Sequence, residues 1–375
     1  MKPRVVVLRG TAASPWELRP WERLHADGAA DVTVVVPPDN QYDTTTVGLP
    51  RADVGTLSAR LPSGRAGGLL LKGLGQRHLG LADALAGADV VHAAELGYWF
   101  SWQAARLKPR LGYKLALTVW ETLPFVDAYR NVRTRRYRRD VLGATDLFLA
   151  VTERARDALL LEGAPAERIE VCPPGIDVER FAGAQAATAA SGTRTLLSIG
   201  RLVWEKGHQD LLRAVALLRA RGNRDVRVSI VGVGPEEQRL KAVARDLGLA
   251  GAVDFRGGIP HDEIAGAFAA ADSLVLASIP TPYWEEQFGM VLAEAMAAQL
   301  PVVAAASGAI PEVLDGYGAL FQPGDWRGLA DVLAAGPLAQ PPATRTAPDP
   351  ALLERYSAAA AAERLRAAYA GLLGR

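Results

Sequence analysis

Short runs of consecutive apolar residues alternate with longer segments of helical periodicity along the whole chain. Several runs are apolar at every position, which is typical of parallel strands covered by helices on both faces. The pattern predicts a doubly wound α/β fold. Strands are expected in the first half at Val5–Leu8, Val32–Val36, Val90–His92, Leu115–Val119, Leu147–Val151 and Ile169–Cys172. They are expected in the second half at Leu196–Ile199, Val226–Val231, Val253–Phe255, Leu274–Leu276, Val302–Ala304 and Ala319–Phe321.

One stretch interrupts the alternation. After Phe181 the residues are small and polar, which indicates a linker between two similar α/β halves. We therefore expect a Rossmann-like domain at 1–181, a linker at 182–194, a second Rossmann-like domain at 195–345 and a terminal helix within 346–375. Ligands of open parallel sheets bind beyond the carboxyl ends of the strands. Two such domains facing a central cleft would place the chemistry in the loops after the strands.

Composition narrows the classes of protein to consider. The 375 residues are enough for two cores, and the formal net charge of +1 excludes a chain that is basic throughout, as a nucleic-acid binder would be. The single cysteine, Cys172, allows no internal disulfide, which fits a reducing compartment. The apolar run Val5–Leu8 is too short for a signal peptide, and no apolar stretch reaches the roughly 18 residues of a spanning helix. A cytoplasmic protein is expected.

The loop after the first strand of the second half carries Gly200, Arg201 and Lys206. A glycine there lets the backbone approach a ligand, and a guanidinium with an ammonium group suits a diphosphate. A loop with solvated charges is the alternative. The next strand is followed by Gly232 and Gly234, which indicate either a tight turn beside a nucleotide or a purely structural turn.

The segment Glu286–Ala297 carries the strongest signal. A helix is predicted from Gly289, with Glu286 in the loop before it and Glu294 within it. Free N–H groups and the positive dipole end at the start of a helix suit a pyrophosphate. Glu286 could accept hydrogen bonds from sugar hydroxyls and Glu294 from ribose hydroxyls. The alternative is one acid that favours the helix dipole and one surface glutamate.

Taken together, these motifs resemble family 4 of the retaining glycosyltransferases, which have the two-domain GT-B fold. The resemblance rests on Gly-Arg-x4-Lys-Gly from Gly200, Gly-x-Gly-Pro from Gly232, Phe-Arg-Gly at Phe255–Gly257 and Glu-x7-Glu from Glu286. It includes Cys-Pro-Pro-Gly-Ile-Asp-x3-Phe at Cys172–Phe181, which is similar to the family's domain junction. The terminal helix resembles the family's last helix, which packs back on the N-terminal domain.

The resemblance implies a role for each matching position. Arg201 and Lys206 would neutralise the donor diphosphate, Glu286 would contact the donor sugar, and Glu294 would bind the ribose. Further donor contacts, mostly through the backbone, are implied at Gly200, Gly232, Gly234, Arg256, Phe288, Gly289 and Met290. The family is usually described as using front-face attack, without a protein nucleophile, a metal or a cofactor beyond the nucleotide-sugar substrate.

Two departures concern the N-terminal half, where acceptors are recognised. Family members often carry a histidine after the fourth strand, and here Trp120 and Glu121 stand in that place. We expect Glu121, ahead of Trp120, to face the site as a catalytic residue, the alternative being that it caps the next helix. Members also often have paired glycines in the first loop, where this chain has only Gly10.

The predicted function is transfer of a sugar from a nucleotide-diphosphate sugar to a saccharide, a lipid-linked saccharide or a small metabolite. A silent nucleotide-sugar-binding subunit and another GT-B enzyme, such as a nucleotide-sugar epimerase, are the alternatives. No nucleic-acid partner is expected. The arginines of the segment Arg130–Arg139 indicate either peripheral contact with the inner membrane face or a solvated helix face.

Overall fold

The computed structural model describes residues 2–62, 64–126, 132–182, 192–261 and 263–374. The chain divides into two compact units. The first comprises Met1–Ile176 and Tyr356–Arg375, and the second comprises Asp177–Arg355. Within the described ranges, every helix is too short or too polar to span a bilayer.

The first unit is built on a parallel sheet. Its strands are β1 (Arg4–Leu8), β2 (Asp31–Val36), β3 (Arg51–Asp53), β6 (Val90–Ala94), β7 (Lys114–Val119), β8 (Leu147–Ala150) and β9 (Ile169–Val171), while β4 (Gly55–Thr56) and β5 (His78–Leu79) form a separate antiparallel ladder. The order across the sheet is β3-β2-β1-β6-β7-β8-β9. The direction of winding reverses between β1 and β6, and ligands of such sheets bind beyond the carboxyl ends at that reversal.

Helices cover both faces of this sheet. They are α1 (Pro15–Ala26), α2 (Leu57–Arg60), α3 (Arg65–Leu74), α4 (Leu81–Leu85), α5 (Trp99–Leu111), α6 (Val132–Ala144) and α7 (Glu153–Leu161). The apolar side chains of β1 point into two cores, one on each face: Val6 and Leu8 into one, Val5 and Val7 into the other. This two-sided burial is why the strand is apolar at consecutive positions.

The second unit repeats the same plan. Its strands are β10 (Arg194–Ile199), β11 (Val226–Val231), β12 (Val253–Gly257), β13 (Ser273–Leu276), β14 (Val302–Ala305) and β15 (Ala319–Phe321), in the parallel order β12-β11-β10-β13-β14-β15. Its helices are α8 (Val178–Ala182), α9 (His208–Ala220), α10 (Glu237–Asp246), α11 (Ala265–Ala269), α12 (Met290–Ala297), α13 (Ile310–Leu314), α14 (Trp326–Ala335) and α15 (Pro350–Arg355). The winding reverses between β10 and β13, so the loops after these two strands meet at one edge.

The terminal helix α16 (Ala358–Leu373) belongs to the first unit and packs along α1. Ser357 caps its first turn by accepting the N–H of Ala360. The Trp21 indole on α1 donates to the Tyr369 hydroxyl on α16 at 2.8 Å, and that hydroxyl also contacts the buried His92. A buried polar network therefore fixes this helix against the sheet.

All twelve predicted strands are present in the structure. The pattern missed β3, β4 and β5, which have two or three residues each and lack an apolar run. The division between units falls at Ile176 and not at the predicted Phe181. Ile176 exchanges backbone hydrogen bonds with Tyr356 and Ala358 of the first unit, while α8, which carries Phe181, packs on α12 of the second. Most of the predicted linker, residues 183–191, lies outside the described residues.

Candidate active site

The loops after β10 and β11 lie against each other. Leu202 donates its N–H to the Val233 carbonyl at 2.9 Å. A Cβ atom on Gly232 would lie 1.9 Å from the Gly200 carbonyl oxygen. One on Gly234 would lie 2.3 Å from the Leu202 carbonyl oxygen. No side chain tolerates such distances, so the Gly-x-Gly motif is required for packing, whatever its contact with a ligand.

Lys206 ends a short 3-10 turn, Trp204–Lys206, directly before α9. Gly207 follows with a φ of 69°, in the left-handed region that glycine adopts without strain. A Cβ atom on Gly207 would lie 1.8 Å from the Ala277 carbonyl oxygen. The lysine loop is therefore packed on the loop that follows β13, and that second loop carries Glu286.

Lys206 and Glu286 form a nearly buried ion pair at this edge of the sheet. The Lys206 Nζ atom lies 3.0 Å from Glu286 Oε1 and 2.8 Å from Oε2. The Ser278 hydroxyl donates to Oε2 at 2.6 Å, and the Lys206 ammonium lies 4.9 Å from the centre of the Trp284 ring. Glu286 is only 6% exposed. Removing either charge would leave the other buried without its partner.

The backbone around Glu286 is held as firmly as its side chain. Ala309 donates its N–H to the Glu286 carbonyl at 2.8 Å, and a Cβ atom on Gly308 would lie 2.1 Å from that oxygen. Phe288 is buried, and Gly289 then begins α12 with a φ of 78°. The first turn of α12, where N–H groups generally lack a partner within the helix, thus follows within a few residues of the ion pair.

Glu294 lies inside α12 and is only 4% exposed. Its Oε1 atom is 3.1 Å from His261 Nε2. His261 Nδ1 in turn lies 3.1 Å from the Arg180 guanidinium, which also donates to the His261 carbonyl. The carboxylate predicted to bind ribose is therefore the end of a short polar chain.

Arg201 and Arg256 are both exposed, and their contacts with a ligand stay predictions. The backbone of Arg201 is held by His208, which is buried and lies 3.2 Å from the Arg201 carbonyl oxygen through Nε2 and 3.0 Å from the Ser198 hydroxyl through Nδ1. Burial lowers the pKa of His208 to about 4. The ring is therefore neutral at physiological pH and can donate from Nε2 while it accepts from Ser198.

The predicted residues of the first unit make mainly structural contacts. A Cβ atom on Gly10 would lie 2.7 Å from the Phe100 ring, so a side chain here would clash with the core. The Glu121 Oε1 atom accepts the N–H groups of Thr122 and Leu123 at 3.0 and 2.9 Å. These bonds stabilise the turn that follows β7; they are not a helix cap, because the next described helix, α6, begins only at Val132. The catalytic role of Glu121 stays a prediction.

Glu95 is a candidate that the sequence analysis missed. It follows β6 at the reversal of winding and has a φ of 62°, which non-glycine residues rarely adopt. Its Oε1 atom accepts the Trp120 N–H at 2.7 Å. Burial of the carboxyl group, together with the nearby Glu121 carboxylate, raises the pKa of Glu95 to about 8. The side chain nevertheless keeps some solvent exposure.

Comparison with known proteins agrees with these features. The profile described as Glycosyltransferase Family 4 matches residues 22–180, and the profile described as Glycosyl transferases group 1 matches residues 183–335. Together the two matches take in most of the chain. The chain belongs to glycosyltransferase family 4.

Two named relatives of this family-4 chain come from Corynebacterium jeikeium and Mycobacterium tuberculosis. It is 32% identical to the D-inositol 3-phosphate glycosyltransferase of Corynebacterium jeikeium over 64% of the chain and 62% of that relative. It is 32% identical to the GDP-mannose-dependent alpha-(1-6)-phosphatidylinositol monomannoside mannosyltransferase of Mycobacterium tuberculosis over 52% of the chain and 51% of the relative. The alignments thus span between about half and three fifths of these relatives.

Solved structures share the fold along the full chain. Anabaena HepE, in complex with UDP and glucose, superposes with a TM-score of 0.73 at 19% identity, covering 97% of this chain and 98% of that one. Sucrose-phosphate synthase of Thermosynechococcus elongatus gives 0.70 at 19% identity over the whole of both chains. The predicted GT-B fold class is confirmed.

The structure brings together only part of what the family-4 motifs predict. Lys206 and Glu286 are in direct contact, and Glu294 lies further along the helix that Gly289 begins. Met290 is half-buried in the first turn of that helix. The missed partners are Ser278, His261 and Glu95, which belong to no motif in the sequence. A buried hydroxyl or carboxylate at the end of a strand is the signal that could have found Ser278 and Glu95.

The arginine-rich segment keeps less free charge than its composition indicates. Arg130 lies outside the described residues. Arg138 forms a buried ion pair with Glu162. Arg136 and Arg139 both pair with Asp140, at 3.6 and 3.3 Å. At least three arginines of α6 are therefore bound to carboxylates of the protein itself.

Proposed function

We propose that the chain is a retaining glycosyltransferase that binds a nucleotide-diphosphate sugar through its second unit and transfers the sugar to a hydroxyl group of an acceptor. The observation that carries the proposal is the buried contact of Glu286, just before α12, with Lys206 and Ser278. A fixed ammonium group beside free helix N–H groups can stabilise the negative charge that develops on a departing diphosphate.

The donor would be held by charges of both signs. Arg201 is exposed at the mouth of the sheet and offers a bidentate guanidinium to a phosphate, which complements the single ammonium of Lys206. Glu286 would accept hydrogen bonds from hydroxyls of the sugar, and Glu294 from hydroxyls of the ribose. With two cations and a helix end in place, the reaction would need no metal.

The acceptor would bind at the carboxyl ends of the strands of the first unit. Glu95 supports this assignment, because an enclosed carboxyl group in strained backbone at the reversal of a parallel sheet is typical of a functional position. The two named relatives carry inositol phosphate or a phosphatidylinositol mannoside in their names. A phosphoinositol polyol is therefore the first acceptor to test.

Contact with an anionic membrane surface remains part of the proposal. It would involve the segment Arg130–Arg139 and the outer side of α3, where Leu69 and Leu74 are 70% and 57% exposed. Exposed leucines beside arginines fit the interface of a bilayer. The protein is expected to cosediment with vesicles that contain anionic lipid but not with neutral vesicles. Absence of binding to the anionic vesicles would contradict the contact.

The main test is a panel of UDP, GDP, UDP-glucose and GDP-mannose in a thermal-shift assay, because a ligand that binds only the folded state raises its stability. One nucleotide family is expected to raise Tm. The sugar nucleotide selected is then incubated with EDTA, with and without D-inositol 3-phosphate, and the products are analysed by NMR. Transfer with retained anomeric configuration is expected.

The alternatives predict different products. A silent binding subunit would show a Tm shift without any release of nucleotide diphosphate. An epimerase would release nucleotide diphosphate or interconvert the donor sugar without needing an acceptor. Absence of a shift for every nucleotide and sugar nucleotide in the panel would contradict the proposal itself.

A further inference from the structure

Among the described residues, His261 is the side chain that hydrogen-bonds to the Glu294 carboxylate. Its carboxylate is enclosed in α12, and its Oε1 atom is bonded to His261 Nε2 at 3.1 Å. Among the described residues, no hydrogen bond is made to Oε2. One oxygen of the carboxylate is thus held by the imidazole, and the other is left for a ligand.

The contacts of His261 fix which ring nitrogen carries the hydrogen. The Arg180 guanidinium has only donors, and it points one N–H group at His261 Nδ1 at 3.1 Å. Nδ1 must therefore be the acceptor, and the hydrogen of the neutral ring sits on Nε2. In this tautomer Nε2 donates its hydrogen to Glu294 Oε1.

The imidazole ring of His261 is held in a defined position. Arg180 belongs to α8, which packs on α12, and the guanidinium also donates to the His261 carbonyl. The Phe181 ring is almost completely buried, and its centre lies 6.3 Å from that of His261 and 5.4 Å from that of Phe268. The imidazole is therefore positioned from two sides, by the guanidinium and by an aromatic edge.

The position of His261 along the chain connects two parts of the donor. Residue 261 follows shortly after β12, whose end at Arg256 and Gly257 is predicted to face the base. Through His261, the loop that would contact the base also orients the Glu294 carboxylate, which would contact the ribose.

We propose that His261 is a positioning residue that presents Glu294 to the ribose hydroxyls and so makes the enzyme select ribonucleotides over 2′-deoxyribonucleotides. The inference rests on the proposed function, which assigns the ribose to Glu294. A carboxylate with one oxygen held by an imidazole N–H is oriented before the nucleotide binds. Part of the entropy cost of binding is thereby removed.

The test measures the dissociation constants of UDP, 2′-deoxy-UDP, GDP and 2′-deoxy-GDP by calorimetry. The wild-type protein is expected to bind one of the two ribonucleotides at least about tenfold more tightly than its deoxy form, because a lost hydrogen bond to a charged group costs about 1.5–3 kcal/mol. His261→Ala is expected to reduce this ratio to within about threefold of unity. His261→Gln, whose amide N–H can replace that of Nε2, is expected to restore most of it.

Glu294→Ala separates this inference from the function on which it rests. If Glu294→Ala keeps the ribose preference, the assignment of the ribose to Glu294 is wrong. If Glu294→Ala loses the preference and His261→Ala keeps it, only the role of His261 is overturned. A purely structural histidine would lower the affinity for ribose and deoxyribose nucleotides equally.

If His261→Ala does not fold, a second variant, Arg180→Met, still tests the proposed role of His261. Arg180→Met removes the donor to Nδ1 but keeps the imidazole, so the tautomer and the ring are no longer fixed. A smaller ribose preference in this variant, at unchanged Tm, would support the proposal. An unchanged preference would overturn it.

Discussion

The two sheets have the same winding, yet the loops at their carboxyl ends are built differently. In the second unit, the loops after β10, β11, β13 and β14 pack backbone on backbone, and they bring Lys206, Glu286 and Ser278 within hydrogen-bonding distance. In the first unit, Glu121 hydrogen-bonds to its own loop, and an enclosed carboxyl group, Glu95, holds the loop at Trp120. The side proposed for the donor is closely packed and dense in motifs, whereas the side proposed for the acceptor carries Glu95 outside any motif.

This difference has a physical origin. A nucleotide diphosphate makes the same demands wherever it binds: close backbone, free N–H groups and cations. Those demands select glycines and charges at fixed spacing. An acceptor makes demands that change with its chemistry, so the residues that meet them follow no common spacing.

Lys206→Ala is expected to have the largest effect and would test the donor side of the comparison. Loss of a fixed donor to developing charge typically costs a factor of about 10²–10³ in turnover. The variant should also lose affinity for the free nucleotide diphosphate, because the buried Glu286 would then repel it. Steady-state kinetics and calorimetry with the donor chosen from the panel would measure both effects.

Lys241→Ala is the matched control, because Lys241 pairs with Glu237 at 2.6 Å on α10 of the same unit. Its kinetics should match those of the wild type. If Lys206→Ala turned over the donor as well as this control, the ion pair would be structural, and the donor side would have to lie elsewhere.

Much of the second unit could be predicted from its sequence, because the close packing of its loops determines which residue types can stand there. Gly207 and Gly232 are glycines since a carbonyl oxygen occupies the place of a Cβ atom, and such glycines stand out in a sequence. The contact between Lys206 and Glu286 could not be predicted, since 80 positions separate them and loop packing alone brings them together. For Glu95 the only signal is its place after a strand, because the positive φ of a glutamate leaves no mark in the sequence.

Glu95→Gln would sharpen the acceptor side. The folded pKa of about 8 lies above the ordinary value of 4.5, so between these pH values the folded state holds a proton that the unfolded state has lost. Stability should therefore fall as pH rises from about 5 to about 8, by at most about 1.4 kcal/mol per pH unit, and then level off. The glutamine variant should lack this slope and be the more stable protein at pH 8.

Urea unfolding at several pH values would measure the difference, with Glu170→Gln, at an exposed position of β9, as the control. A carboxyl group that destabilises the fold at neutral pH is typical of a functional position, where stability is given up for activity. Parallel pH profiles for wild type and Glu95→Gln would mean that Glu95 is an ordinary surface acid, and the acceptor site would lose its main support.

Glu121→Gln should have the smallest effect, and it decides between the predicted catalytic role and a structural role in the turn after β7. The Glu121 carboxylate accepts the N–H groups of Thr122 and Leu123 through one oxygen, and glutamine keeps one such oxygen. If these hydrogen bonds only stabilise the turn, the variant should lose no more than about 1 kcal/mol of stability. Its transfer rate should then stay within about twofold of the wild type. If Glu121 also contacts the substrate, removal of its charge should reduce the transfer rate at least about tenfold, or 1.4 kcal/mol of barrier, at unchanged Tm and donor affinity.

Glu153→Gln, at the exposed start of α7, controls for the loss of one charge in the same unit. The geometry favours a local structural role in the turn, so we expect the stability effect without the kinetic one. The opposite result would give the first unit a second functional carboxylate beside Glu95. The proposed acceptor side would then have two functional carboxylates, as the proposed donor side has with Glu286 and Glu294.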